Sequence, residues 1–153
     1  MTRRTFEKES RINAPAQEVF DWHKTDEALE KLIPPSDPVS VKSRSGGIKD
    51  GATVTLRIQF LGPLGMDWVA HHQNYEEGRQ FEDVQKSGPF KYWCHTHIVE
   101  PVDDEECLLR DHVEYELPFG WLADFLAGWF VRRKLQSMFD YRHQVTREEL
   151  EGE

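Results

Sequence analysis

Gln80–Gly120 reads QFEDVQKSGPFKYWCHTHIVEPVDDEECLLRDHVEYELPFG, and its alternation decides the fold. Three consecutive antiparallel strands are predicted, over roughly 79–86, 90–100 and 107–116. Turn-forming residues separate them at Ser87-Gly88-Pro89 and from Pro101 to Glu106. Successive side chains on a strand point to opposite faces. One face therefore collects Phe81, Asp83 and Gln85, then Trp93, His95, His97 and Val99, then Leu109, Asp111, Val113 and Tyr115. The other collects Gln80, Glu82, Val84 and Lys86, then Tyr92, Cys94, Thr96 and Ile98, then Arg110, His112, Glu114 and Glu116. The second set is dense in charge and faces water; the first holds the large apolar residues and faces inward. Yet the inward set also carries two carboxylates and two imidazoles. Burying one such group without a partner costs several kcal/mol. That face is expected to line a pocket.

The chain has 153 residues, 38% hydrophobic and 31% charged, which predicts one domain over residues 1–153 burying roughly 70% of its unfolded surface. Five Trp and nine Phe suit an apolar cavity as well as a core. A net charge of −9 with no basic stripe longer than Arg132-Arg133-Lys134 argues against nucleic acid as a partner, because an acidic surface repels phosphates. No apolar run approaches the ~20 residues of a membrane span. The charged start MTRRTFEKES lacks the apolar core of a secretory signal. Cys94 and Cys107 are expected too far apart in register to bridge, which suits a cytoplasmic location. A homodimer stays open.

In chain order, residues 4–13 alternate as a half-exposed strand. Asn13-Ala14-Pro15 starts a helix, with Asn13 as a cap and Val19 and Phe20 on its apolar side. A second short helix, about 26–32, ends at Pro34-Pro35. Strands follow near 38–44, 52–61 and 66–75, with turns at Ser45–Gly51 and Gly62-Pro63-Leu64-Gly65. From Gly120 to about Glu149 the sequence is helical, ~45 Å if straight. Trp121, Leu122, Phe125, Leu126, Trp129 and Phe130 share one side of that helix; Val131, Leu135, Met138, Phe139 and Val145 lie nearly opposite. A straight amphipathic helix does not switch faces. A bend near Gly128, or a separate lid over 120–128, is therefore expected. Arg142 falls in the second stripe and points toward the sheet.

This element order, the opening Ile12-Asn13-Ala14-Pro15 with Val19-Phe20, and the closing helix resemble the START/Bet v 1-like (SRPBCC) superfamily. The run Phe81-x-Asp83-x-Gln85-x-x-Gly88-Pro89-Phe90-x-x-Trp93-x-His95-x-His97, with Asp111-x-Val113-x-Tyr115-x-x-Pro118, is similar to its cyclase/dehydrase-like ligand-binding branch. The resemblance implies an α+β helix-grip fold: a strongly curved antiparallel sheet of about seven strands, two short helices and a long C-terminal helix around a cavity. It implies a hydrophobic small-molecule ligand such as a lipid or polyketide. No cofactor is implied, and fold likeness does not choose an activity.

Four readings of the inward polar residues stand. In the first, Asp83, Gln85, His95, His97, Asp111, Tyr115 and Arg142 floor a ligand pocket walled by Trp68, Phe81, Trp93 and Phe139. Opposed Cβ atoms lie about 4.5–5.5 Å apart, so Asp111 reaches His95 or His97, and Asp83 reaches Trp93 or His95. In the second, His95, His97 and Asp111 are catalytic, a His–Asp general base with Tyr115 or Arg142 at an oxyanion. In the third, His-x-His with Asp83 or Asp111 binds metal; no third histidine is placed for it, although His72 shares parity with Trp68, and no metal site is expected. In the fourth, the network only fixes strand register. His23, His112 and His143 rank lower by position. No nucleophile triad and no phosphate loop is present.

Overall fold

The computed structural model describes residues 3–61 and 64–151. Its elements are β1 (Arg4–Ile12), α1 (Ala16–His23), α2 (Asp26–Lys31), β2 (Val39–Ser45), β3 (Thr53–Leu61), β4 (Leu64–Glu76), β5 (Gln80–Ser87), β6 (Tyr92–Pro101), β7 (Cys107–Glu116) and α3 (Gly120–Leu150). The strands form one antiparallel sheet in the order β1-β7-β6-β5-β4-β3-β2. The sheet does not close, and the whole is a helix-grip fold. The expected turn at Gly62-Pro63 lies outside the described residues.

Inward parity holds along the middle strands. On β6 the burial alternates strictly, with Trp93, His95, His97 and Val99 buried. On β7, Leu109, Asp111, Val113 and Tyr115 are buried likewise. The apolar core is split in two. One cluster gathers Ile12, Val19, Phe20, Phe81, Val99 and Leu109; the other gathers Phe6, Trp93, Val113, Tyr115, Leu135 and Phe139. Along each element the step between the clusters is occupied by a polar residue: His95 and His97 on β6, Asp111 on β7, Ser10 on β1, His143 on α3. A polar belt crosses the core.

Two expectations about helices are corrected. Asn13 does not cap α1, whose N-cap is Pro15 without a side-chain bond; the Asn13 amide instead donates to Glu151 Oε2 at 2.8 Å, tying the start of the chain to the end of α3. The C-terminal helix is continuous over 31 residues, unbroken at Gly128 and with no separate 120–128 lid. A mid-helix glycine costs only about 1 kcal/mol, less than breaking the backbone ladder. The conflict between stripes is resolved by exposure instead. Leu135, Phe139, His143, Val145 and Thr146 are buried, whereas Trp121, Leu122, Phe125, Leu126, Trp129 and Phe130 face solvent. Chain reversal into α3 places Phe119 and Gly120 at positive φ, 70° and 72°, a conformation glycine takes freely and phenylalanine only with strain.

Candidate functional site

The belt is built from strand register. His97 stands opposite Asp111 across β6–β7, Asp83 opposite His95 across β5–β6, and His72 opposite Asp83 across β4–β5. Asp111 takes a hydrogen bond on each oxygen: from His95 Nε2 at 2.7 Å and from His143 Nε2 at 2.6 Å. The Ser10 hydroxyl donates to His143 Nδ1 at 2.7 Å. Asp83 likewise uses both oxygens, accepting from Trp93 Nε1 at 3.3 Å and His97 Nε2 at 2.9 Å. The chain Ser10–His143–Asp111–His95 and the triangle Trp93–Asp83–His97 meet where the His95 and His97 rings lie 3.7 Å apart. Phe81 stacks on His97 at 4.1 Å, and the Phe139 ring meets His95 edge-on at 5.0 Å.

These contacts set the charges. Burial alone pushes both aspartates up, but the histidines around each more than offset it, holding Asp83 below and Asp111 well below the usual carboxylate range. Burial, helped by the neighbouring His95, pushes His97 down to about 3. His23 and His72 are lowered as well, chiefly by burial. At neutral pH the belt presents ionised aspartates and a neutral His97.

A cavity of about 160 Å³ lies between sheet and helices beside this belt. Of the residues expected at the site, Trp68, Phe81, Asp83, Trp93, His95, His97, Phe139 and Arg142 border it. Gln85, Asp111 and Tyr115 do not, which corrects the reading that placed them on the pocket floor. Gln85 instead brackets the β5–β6 turn, its amide donating to the Phe90 carbonyl at 2.7 Å and accepting from the Phe90 amide at 3.2 Å. Tyr115 packs against Phe90 within the apolar cluster. Asp111 sits one layer behind, where it orients His95 and His143.

Two histidines ranked low from sequence, His143 and His23, are central, and His72 joins them. His143 is 1% exposed and completes the Asp111 bond pair; it lies four residues after Phe139, the same helix face. His23 and His72 border the cavity. The signal for His23 was its i, i+3, i+4 spacing from Phe20 and Val19. Leu29, Leu32, Ile33, Val54, Leu56 and Ile58 supply the aliphatic wall.

Asp83, His95 and His97 offer ligand atoms within 4.8 Å of one another and are the described residues that could hold a metal ion. Burial lifts Cys94 to about 12 and Cys107 to about 11, so both free thiols are protonated at neutral pH. Among the described residues no helix is long and apolar enough to cross a membrane.

The family model for polyketide cyclase/dehydrase and lipid transport proteins matches residues 12–140. Among solved structures, a nucleoside-diphosphate sugar epimerase from Corynebacterium glutamicum is 28% identical, with a TM-score of 0.70 over 93% of this chain but only 28% of its own. This chain thus corresponds to less than a third of that protein. A START superfamily protein from Mycobacterium smegmatis is 12% identical, with a TM-score of 0.68, covering 96% of this chain and 97% of its own. Norcoclaurine synthase from Thalictrum flavum, in complex with dopamine and hydroxybenzaldehyde, is 14% identical, with a TM-score of 0.66 over 94% and 86%. No curated protein sequence matches the chain closely enough to count as a relative. With the helix-grip architecture and the family model in agreement over most of its length, the chain belongs to the polyketide cyclase/dehydrase and lipid transport family.

Proposed function

We propose that this protein binds a small, mostly apolar molecule in the cavity, oriented by the polar groups of β4, β5 and β6. The observation that carries this reading is the unfilled space of about 160 Å³ with an aliphatic wall on one side and His72, Asp83, His95 and His97 on the other. Interiors are otherwise close-packed, and an apolar cavity with a few convergent polar groups is the usual form of a ligand site. Membership of a family named for lipid transport and polyketide cyclisation supports a hydrophobic ligand in general. Norcoclaurine synthase holds dopamine and hydroxybenzaldehyde on the same fold.

An acid–base enzyme built on the same histidines is the weaker reading. A general base works best with a pKa near the working pH, and burial places His97 far below it.

Organic extraction of the purified protein, followed by mass spectrometry, is the test. A co-purifying apolar compound, displaced when His95→Ala disturbs the floor, is the expected result. Extracts without any such compound, together with failure to bind apolar probes, would sink the proposal.

A further inference from the structure

Resting on that reading, we infer that the ligand is an acid, its carboxylate seated on the Arg142 guanidinium with His72 as a second polar contact. Two guanidinium groups border the cavity, and they differ in one respect. Arg44 is paired: its Nη1 donates to Asp26 Oδ1 at 2.8 Å and to the Thr25 carbonyl at 3.1 Å. The Arg142 guanidinium makes no hydrogen bond or ion pair among the described residues, and its Nε is buried without a partner. Its close neighbour is the Phe139 ring, 5.5 Å from the guanidinium carbon.

Asp111 and Asp83 act on the Arg142 charge through space, but neither hydrogen-bonds to the guanidinium. Asp111 is committed to His95 and His143, and Asp83 to Trp93 and His97. A guanidinium does not discharge to relieve itself, since it holds its proton at any pH a protein meets. A desolvated cation is costly unless an anion meets it directly, and the two aspartates offset that cost only from a distance. A planar carboxylate matches the guanidinium fork with two parallel hydrogen bonds.

His72 points the same way independently. It is 9% exposed, borders the same cavity from the sheet side, and leaves Nδ1 buried without a partner. The other polar groups there are occupied: His23 Nδ1 donates to the Val19 carbonyl at 2.8 Å, and Asp37 pairs with Lys134. Among the described residues, Arg142 Nε and His72 Nδ1 are thus the polar atoms bordering this space that are buried without a partner. No helix N-terminus borders it to help hold a phosphate. The volume sets the body of the ligand, because a void of ~150 Å³ accepts a benzene ring. The ligand class is a single-ring aromatic acid or a short-chain acid.

Calorimetric titration with phenylacetate and with phenylacetamide, a neutral molecule of nearly the same shape, separates the possibilities without any mutation. The unaltered protein is expected to bind the acid at least tenfold more tightly than the amide. Arg142→Met should abolish that preference by weakening the acid, with the amide retained; Arg142→Lys should keep part of it. Equal affinity for acid and amide, or a preference that survives Arg142→Met, overturns the carboxylate and leaves the cavity reading standing. Binding of neither compound overturns the carboxylate; the cavity reading falls with it only if toluene also fails to bind.

Discussion

Asp111 holds two histidines from two different elements, one on β6 and one on α3, with a single carboxylate. Removing it as Asp111→Ala leaves two buried N–H groups unmet, and a loss of about 3–5 kcal/mol is expected in urea unfolding. Ser10→Ala removes one terminal bond of the same chain and should cost about 1 kcal/mol. Acid acts through His97. Its imidazole titrates near 6.5 in the unfolded chain and at about 3 in the folded one, so between those values the unfolded state binds the extra proton. The contribution is present in full above pH 6.5 and is lost as pH falls toward 3. At pH 5 this single group should lower stability by about 2 kcal/mol relative to pH 7. His23 and His72, also lowered, add in the same sense. Denaturation midpoints of the parent and of His97→Gln at pH 7 and pH 5 check this, the variant showing the shallower dependence. Both Asp83 oxygens already accept N–H bonds, so dialysis against a chelator should leave the melting temperature unchanged.

At the scale of elements, α3 is two helices in one. Its C-terminal half buries Phe139 and Leu135 against the sheet, while the stripe from Trp121 to Phe130 meets water. Phe139→Ala should therefore cost about 3–5 kcal/mol, and Phe125→Ala less than about 0.5 kcal/mol, a contrast readable by thermal or urea unfolding. This element also shows where sequence reasoning ended. Strand parity grouped Trp93, His95 and His97 on one face because alternate residues of a strand share a face whatever they pair with, and the apolar set marked that face, with Asp111, as the inner one. Helix geometry was harder. The rule that every apolar stripe must be buried predicted a bend at Gly128, and the molecule leaves one stripe uncovered instead. His143 was legible in principle, one turn after Phe139, but nothing local announces that Asp111 waits opposite it. The fate of Gln85 and Tyr115 depended on the distance from the cavity wall, which alternation does not encode.

For the whole molecule, the central claim is that curvature of the sheet beneath α3 keeps an accessible hollow, and that the polar belt separating two apolar clusters gives this hollow its chemistry. An apolar ligand that binds only the folded state raises stability by about 2.7 kcal/mol at a hundredfold excess over its dissociation constant. The exposed stripe on α3 also attracts apolar compounds, so the decisive measurement must resolve location. We would follow methyl resonances by NMR while titrating toluene. The account predicts shifts of the Val54, Ile58 and Ala70 methyls that saturate at one toluene per chain, with Leu122 and Leu126 on α3 showing no saturable change. Silent cavity methyls, or saturation confined to Leu122 and Leu126, would contradict it.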